Sequence, residues 1–210
     1  YQMATAAKQL GTADIGNKIT TTNSLATAGF SVAITAGTFT VDGTQVTITT
    51  TDTVDDVISR ITSNVSNVTA SYDSGTDKIS ITKSSSTLIL GSATDTSNFL
   101  QATRLTNNGT SSTTSSHKLG GINLQHTADA ASFKTAGTAA SGSFTINGVS
   151  ISYANTDTVA DILSKINTSS ASVFASYDAV NDRFKLTNKT DGDLGMTLAD
   201  VSGDFLANSG

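Results

Sequence analysis

Alternating apolar and polar residues open two similar passages of the chain. Residues 37–62 read GTFTVDGTQVTITTTDTVDDVISRIT, and residues 142–167 read GSFTINGVSISYANTDTVADILSKIN. In each passage, two alternating runs flank an Asp-Gly or Asn-Gly pair. Alternation of this kind is typical of a half-buried strand, and these dipeptides favour the type I′ turn because both of its central positions need positive φ. Both passages therefore begin with a predicted β-hairpin.

Helical spacing follows each hairpin. Apolar residues stand at positions 54, 57, 58 and 61 in the first passage and at 159, 162, 163 and 166 in the second, which is one face of an α-helix. Thr53 and Thr158 come directly before these runs, each with an Asp three positions later, so they are candidate N-caps in a variant of the capping box. Because each predicted helix spans only about ten residues, we expect it to persist only when packed on a sheet.

The two passages belong to a longer internal duplication. Phe39 and Phe144 stand 105 positions apart, and the same spacing relates the run ASYDSGTDKISIT to the run ASYDAVNDRFKLT. These later runs also alternate, so they predict a second hairpin in each copy. A last strand is predicted around 88–90 and around 196–198, before the Phe-Leu pair that ends each copy.

The predicted fold class is α+β and β-rich, with two tandem related small domains. Each is expected to be an antiparallel sheet with one short packed helix. The first repeat domain is placed at 37–105 and the second at 142–210. Residues 106–141 open with the polar run TNNGTSSTTSSHKLGG and are interpreted as a linker and lead-in. Residues 1–36 are interpreted as a lead-in that continues a preceding element, and the chain as a fragment of a longer protein.

Charge and composition narrow the function classes. The 210 residues carry a net charge of −5, which argues against nucleic acid or an anionic membrane as partner. No apolar run approaches the roughly 20 residues that span a bilayer, so membrane insertion is not expected. The absence of cysteine removes disulfides, thiol catalysis and thiolate metal sites. The first ten residues show no leader pattern, and the wealth of Ser and Thr resembles bacterial surface proteins.

Carboxylates flank the loop of the second hairpin in both copies, at Asp73, Asp77, Asp178 and Asp182. Their duplication raises the possibility of a calcium site. The loop DSGTD lacks the ligand density of an EF-hand, however, and Asp and Gly are what a tight loop needs for local hydrogen bonds and positive φ. Turn chemistry is therefore the favoured interpretation, here and for the acidic loop TDGDLG at 190–195.

Other candidate groups also favour structural roles. His117 and His126 form no spacing that would direct metal ligands to one face, so they are interpreted as solvated surface residues. Tyr72 and Tyr177 are duplicated and are expected to pack at a sheet edge. No nucleophile elbow and no phosphate-binding loop are present. The sequence therefore predicts no enzyme and no catalytic, cofactor-binding or metal site.

The second copy, from GSFTINGV through DTVADILSKIN to DRFKLT, resembles the flagellin hook IN motif. The motif takes its name from the Ile-Asn that stands here at Ile166-Asn167, whereas the first copy has Ile61-Thr62. It is typical of the flagellar filament-cap family, hook-associated protein 2. It also occurs in the outer domains of some flagellins and of other hook-associated proteins.

The resemblance implies a non-enzymatic head region of the filament cap, located outside the cell at the tip of the flagellum. Its implied partners are flagellin, whose folding and insertion the cap promotes, and further copies in a small ring formed by the full-length protein. Exposed heads of this family can also contact host mucin or glycans. The positions carried over from the motif are structural: Phe39, Gly43, Thr53, Val57, Ile61, Phe144, Gly148, Thr158, Ile162 and Ile166.

Two alternatives stay open. One is the outer, variable domain of a flagellin or of a hook–filament junction protein, which would be present in thousands of copies per filament. The other is a glycan- or mucin-binding adhesin module, which would bind glycan saturably as an isolated chain.

Overall fold

The computed structural model describes residues 6–192 and 195–210 and divides into two compact units. The first-repeat unit is Lys18–Gly120, and the second-repeat unit is Gly121–Gly210 together with the described residues of Tyr1–Asn17. The chain therefore passes from one unit to the other twice, after residue 17 and after residue 120. Each unit has a hydrophobic core of its own.

The strands and helices are short. In chain order they are β1 (Lys8–Leu10), β2 (Gly37–Val41), β3 (Thr44–Ile48), α1 (Val54–Asn64), β4 (Val68–Asp73), β5 (Lys78–Lys83), α2 (Phe99–Ala102), β6 (Ser112–Thr114), β7 (Gly142–Ile146), β8 (Val149–Tyr153), α3 (Val159–Thr168), β9 (Val173–Asp178), β10 (Arg183–Asn188), β11 (Leu198–Ser202) and α4 (Phe205–Ser209). A 3-10 turn, Ala128–Ala130, precedes β7.

The predicted hairpins are present in both copies. β2 pairs with β3 and β7 with β8, each antiparallel across a two-residue turn. The central residues Asp42 and Gly43 have φ of 49° and 78°, and Asn147 and Gly148 have φ of 51° and 77°. Both turns therefore use the left-handed backbone that favours Asn, Asp and Gly.

Each hairpin leads into a helix that begins at a reciprocal cap. The Thr53 hydroxyl accepts a hydrogen bond from the Asp56 amide at 3.1 Å, and the Asp56 carboxylate accepts one from the Thr53 amide at 2.9 Å. Thr158 and Asp161 repeat this arrangement at 3.1 and 3.0 Å. The two free amides at the helix start are thereby satisfied, as the capping-box pattern predicts.

The fold is β-rich, each strand pair among the described residues is antiparallel, and the two hairpins of each copy lie in separate sheets. In the first-repeat unit these sheets are β2–β3 and β4–β5–β6, and in the second-repeat unit they are β11–β7–β8 and β1–β10–β9. In the second copy the predicted last strand, 196–198, overlaps β11 only at Leu198. In the first copy it is reduced to a single bridge between Val41 and Leu90.

Two polar segments outside the copies complete these sheets. Residues 112–114, within the predicted linker, form β6 and pair with β5, whereas residues 8–10, within the predicted lead-in, form β1 and pair with β10 of the other copy. The two pairings share one register, because Thr113 lies opposite Ile81 as Gln9 lies opposite Leu186. Strand pairing uses backbone groups, so these segments need little apolar content to form it.

The cores are built around paired aromatic rings. In the first-repeat unit, Phe39 stacks on Phe99 with ring centroids 4.5 Å apart, and in the second, Phe144 stacks on Phe205 at 5.6 Å. Phe99 and Phe205 open the short helices α2 and α4. The Phe-Leu pair at the end of each copy thus closes the core that the first hairpin begins.

Candidate functional site

The ten motif positions predicted from the sequence lie within the frame of the two copies. The apolar ones are at most 2 % exposed, and the others occupy the turns and N-caps described above. In chain order they are Phe39, Gly43, Thr53, Val57, Ile61, Phe144, Gly148, Thr158, Ile162 and Ile166. The apolar side chains pack, the two threonines cap helices, and the two glycines provide the positive φ of the turns.

A charged latch joins each helix to the hairpin before it. Arg60 donates to Asp52 at 3.0 Å and to the Thr47 carbonyl at 2.6 Å. This hydrogen bond from the Arg60 guanidinium lowers the pKa of Asp52 to about 2, against the opposing effect of partial burial. In the second copy, Lys165 makes the same pair with Asp157 and lowers the pKa of that carboxyl.

Asp77 is a fully buried carboxylate directly before β5. Its Oδ1 accepts hydrogen bonds from the Ile19 amide at 3.2 Å and the Tyr72 hydroxyl at 2.7 Å, and its Oδ2 accepts one from the Gly120 amide at 2.8 Å. The Asp77 carbonyl also accepts from the Leu119 amide at 3.0 Å. Residues 19 and 120 adjoin the two points where the chain enters and leaves the first-repeat unit. One side chain therefore binds both chain segments at these points.

Asp182 does the same in the second-repeat unit, where it is 4 % exposed. Its carboxylate accepts hydrogen bonds from the Gly16 amide at 2.8 Å, the Ile122 amide at 3.4 Å and the Tyr177 hydroxyl. A Cβ on Gly16 would lie 2.5 Å from the Cα of Gly121. The absence of a side chain at Gly16 therefore lets the chain segments around these two glycines run side by side.

These contacts decide how the loop carboxylates are used. Asp77 and Asp182 face amide and hydroxyl donors, which supply the partial positive charge that a cation would otherwise supply. Asp73 and Asp178 bond within their own hairpins, where Asp73 accepts from the Gly75 amide at 2.8 Å and Asp178 from the Asn181 side chain at 2.7 Å. Asp178 also forms an ion pair with Arg183 of β10 at 3.7 Å. In residues 6–192 and 195–210, no cluster of three or more acidic or histidine side chains could hold a metal ion.

The duplicated tyrosines have a role that the sequence pattern did not reveal. Tyr72 lies on the edge strand β4, half-buried against the first core, with its hydroxyl directed at Asp77. Burial and this hydrogen bond raise the pKa of Tyr72. The signal that could have revealed this hydrogen bond is the repeated spacing Tyr-x-x-x-x-Asp. A tyrosine near the end of one strand can reach a carboxylate that directly precedes the next strand.

The remaining candidates stay peripheral. His126 is exposed, and its ring Nδ1 lies 3.2 Å from the Ala130 carbonyl, while His117 is half-buried. In the acidic loop at 190–195, residues 193 and 194 lie outside the described residues. Of the helices described, none combines the length and apolar character that crossing a membrane requires.

The duplicated frame, with its hairpin, capped helix and second hairpin, can be compared with known families. Residues 138–190 match the model of the family described as the flagellin hook IN motif. The second copy carries a flagellin hook IN motif. The matched span runs from the segment before β7 through the hook IN helix α3 to the end of β10.

The similarity extends beyond that motif. The chain is 35% identical over 169 residues to flagellar hook-associated protein 2 of Thermotoga maritima, a match that covers 77% of this chain and 28% of the relative. The chain thus spans little more than a quarter of the length of the curated relative it matches. No solved structure is significantly similar to it. The hook IN motif and this relative together support a structural protein of the bacterial flagellum.

Proposed function

We propose that this chain is the head region of a flagellar filament cap, which sits outside the cell at the filament tip and promotes the folding and insertion of flagellin. The observation that carries the proposal is the similarity to a hook-associated protein 2 along 77% of the chain. The placement of the most specific residues supports it, because they form hairpin turns, helix caps and hydrophobic cores. Copies of the full-length protein would associate into a small ring.

The outward face of the sheet β1–β10–β9 is the contact surface that we assign to flagellin. Phe174 is 52 % exposed on this face and Leu10 is 49 % exposed. Thr187 lies between Phe174 and Lys8 in one cross-strand row, so the same face carries a positive charge two strands away from the ring. Large exposed apolar patches rimmed by polar groups mark protein-binding surfaces, and this face offers one exposed apolar side chain on each of its two outer strands.

The corresponding face in the first-repeat unit is chemically different. The strands β4, β5 and β6 present two cross-strand rows made of hydroxyl residues: Thr69, Thr82 and Ser112, then Ser71, Ser80 and Thr114. Most of these side chains are exposed, and Ser80 and Thr114 are hydrogen-bonded to each other at 2.8 Å. The two copies thus supply a matched pair of faces, one aromatic and basic and one hydroxyl-rich.

Deletion of the gene tests the cap assignment. Electron microscopy would score the filaments, and immunoblots would measure flagellin in the medium. A cap head predicts bare hooks with flagellin lost to the medium. Normal filaments would refute the cap and leave two alternatives, an outer domain that decorates the filament surface and an adhesin, whereas bare hooks with no flagellin made at all would identify the filament subunit itself.

Complementation of the deletion with Phe174→Thr tests the assigned surface. Thr is the residue at the equivalent position of the first copy, Thr69, so the strand tolerates it. We expect folded protein with shorter filaments and more flagellin in the medium. Val180→Thr removes an apolar residue that is 60 % exposed in the adjoining loop, and it should behave as the wild type. Equal behaviour of the two variants would remove the face from the proposal.

Contact with host mucin or glycans is the further role that exposed heads of such a cap would take. Binding of immobilised mucin by the isolated 210 residues measures it directly. Saturable binding that free glycan competes away would support this role. If deletion of the gene also left the filaments intact, the same binding result would favour the adhesin alternative. A signal no higher than that of a control protein of similar charge would refute it.

A further inference from the structure

The outward face of the sheet β1–β10–β9 carries two positive charges that have no partner within the chain. Lys8 of β1 is exposed and Lys185 of β10 is half-buried. Phe184 and Leu186, the neighbours of Lys185, belong to the second core, so Lys185 points to the opposite side. Across residues 6–192 and 195–210, neither ammonium group has an ion pair or a hydrogen bond. Both charges can therefore be used by a partner.

The other lysines and arginines have partners within the chain. Five form ion pairs with aspartates: Arg60, Lys83, Lys134, Lys165 and Arg183. Four donate hydrogen bonds to backbone carbonyls: Lys18, Lys78, Arg104 and Lys189. Lys118 has a partner as well. In a chain whose net charge is −5, the two cations without a partner thus lie on one face of one sheet.

Lys8 and Lys185 are diagonal neighbours on adjacent strands. Lys8 lies opposite Thr187, and Lys185 lies opposite Leu10, two positions further along. Diagonal neighbours of an antiparallel pair are roughly 7–8 Å apart, and like charges at that distance repel each other. An anion bound over the two lysines offsets this repulsion, so the face favours a negatively charged partner.

The first-repeat unit has the same strand register without these charges. Ser112 of β6 stands where Lys8 stands, and Ser80 of β5 stands where Lys185 stands. The Ser80 hydroxyl is hydrogen-bonded to that of Thr114 on the neighbouring strand at 2.8 Å. Serine at both positions is therefore compatible with the sheet, and strand pairing does not need the lysines.

We propose that this face binds an acidic, extended peptide segment of flagellin, whose carboxylates pair with Lys8 and Lys185. Side chains two positions apart in an extended strand lie on one side, about 6.5–7 Å from each other, which matches the spacing of the two lysines. Phe174 and Leu10, 52 % and 49 % exposed on the same face, contact the apolar side chains of that segment. These two side chains favour a peptide, which can bury them, over an anionic glycan.

The inference rests on the assignment of this face to flagellin, and it adds the charge and the conformation of the bound segment. The test measures binding of purified flagellin from the same organism by the 210-residue chain and by the variant Lys8→Ser/Lys185→Ser. We expect the variant to bind about fivefold or more weakly at roughly 0.05 M salt, and as the wild type does at roughly 0.5 M salt, where ions screen the charges. Lys8→Arg/Lys185→Arg keeps both charges and should keep the binding.

Two further variants separate the local charges from other effects. Lys18→Ser/Lys78→Ser removes the same net charge from the first-repeat unit, and it should bind as the wild type does at both salt concentrations. Phe174→Thr removes the apolar contact and leaves the lysines, so it should weaken binding at both concentrations without changing the dependence on salt.

The outcomes distinguish this inference from the flagellin contact itself. Equal binding by the wild type and by Lys8→Ser/Lys185→Ser at the lower salt would overturn the inference and leave the contact in place. No binding by the wild type at either salt concentration would refute the contact, and the inference with it. If Lys8→Ser/Lys185→Ser lost binding to immobilised mucin but kept binding to flagellin, the lysines would belong to an anionic glycan site and the peptide would be the wrong occupant.

Discussion

Replacing Asp77 with Asn should loosen the two chain segments, around residues 19 and 120, by which the chain enters and leaves the first-repeat unit. The carboxylate accepts three hydrogen bonds in a site with no exposed surface, two from the amides of Ile19 and Gly120 and one from the Tyr72 hydroxyl. The amide of Asn has one oxygen, so it cannot serve both sides. The orientation that keeps the most bonds retains the Oδ1 partners and turns the new NH₂ toward the Gly120 amide.

The expected cost follows from that count. A hydrogen bond to a charged group contributes roughly 1.5–3 kcal/mol, and a buried donor left without an acceptor costs about 1–3 kcal/mol. Losing the Gly120 bond and the negative charge should therefore lower the free energy of unfolding by about 2–4 kcal/mol. The loss should be confined to the first-repeat unit, because Asp182 clamps the other one separately.

Amide hydrogen exchange measured by mass spectrometry gives the local readout that this prediction needs, since two units need not unfold as one. Faster exchange is expected at residues 119–120, with a smaller change at residue 19. Asp73→Asn is the control, because this exposed carboxylate bonds only within its own loop among the contacts described above. Unchanged protection at Gly120, or an equal effect of the control, would refute the role of Asp77 in holding the two chain segments.

Three further predictions concern the cap, the glycine contact and acid stability. Thr158→Ala removes the N-cap of α3 and should cost about 1 kcal/mol in chemical denaturation, with Thr168→Ala as a matched change at the other end of the helix. Gly16→Ala forces a Cβ to within 2.5 Å of Gly121 and should destabilise the second-repeat unit by about 1–3 kcal/mol, whereas Gly195→Ala, which meets nothing within 4 Å, should be tolerated. The pKa of Asp52 is about 2 in the fold against an ordinary 3.8, so its contribution is present above about pH 4 and is lost as the pH falls toward 2. Arg60→Gln should abolish this part of the acid dependence in unfolding curves taken between those pH values.

Local signals explain what the sequence could predict. An Asp-Gly or Asn-Gly pair between alternating runs specifies its turn through its own backbone preferences, and Thr with Asp three positions later specifies a helix start. These signals act within a few residues. The hairpins, the capped helices and the repeated frame could therefore be derived before any tertiary contact was known, and the duplication supported each of them twice.

The roles of polar residues could not be derived in this way. Asp77 and Asp73 look alike in the sequence, at the two ends of one loop, yet one is fully buried and the other is exposed. What distinguishes them is the arrival of residues 19 and 120 from distant parts of the chain. The edge strands show the same limit, because Lys8-Gln9-Leu10 and Ser112-Thr113-Thr114 share a register without sharing a sequence pattern.

The sequence by itself determined the two copies, their hairpins and capped helices, the apolar motif positions in their cores and their resemblance to the hook IN motif. Turn, cap and period signals are local, so a one-dimensional pattern suffices for them. Only the tertiary structure decided which segment completes each sheet and which carboxylate binds the segments where the chain enters and leaves each unit. It assigned β1, from the start of the chain, to the second copy and β6, from between the copies, to the first. Backbone pairing and buried hydrogen bonds depend on where distant segments meet, and no short stretch of sequence encodes that meeting.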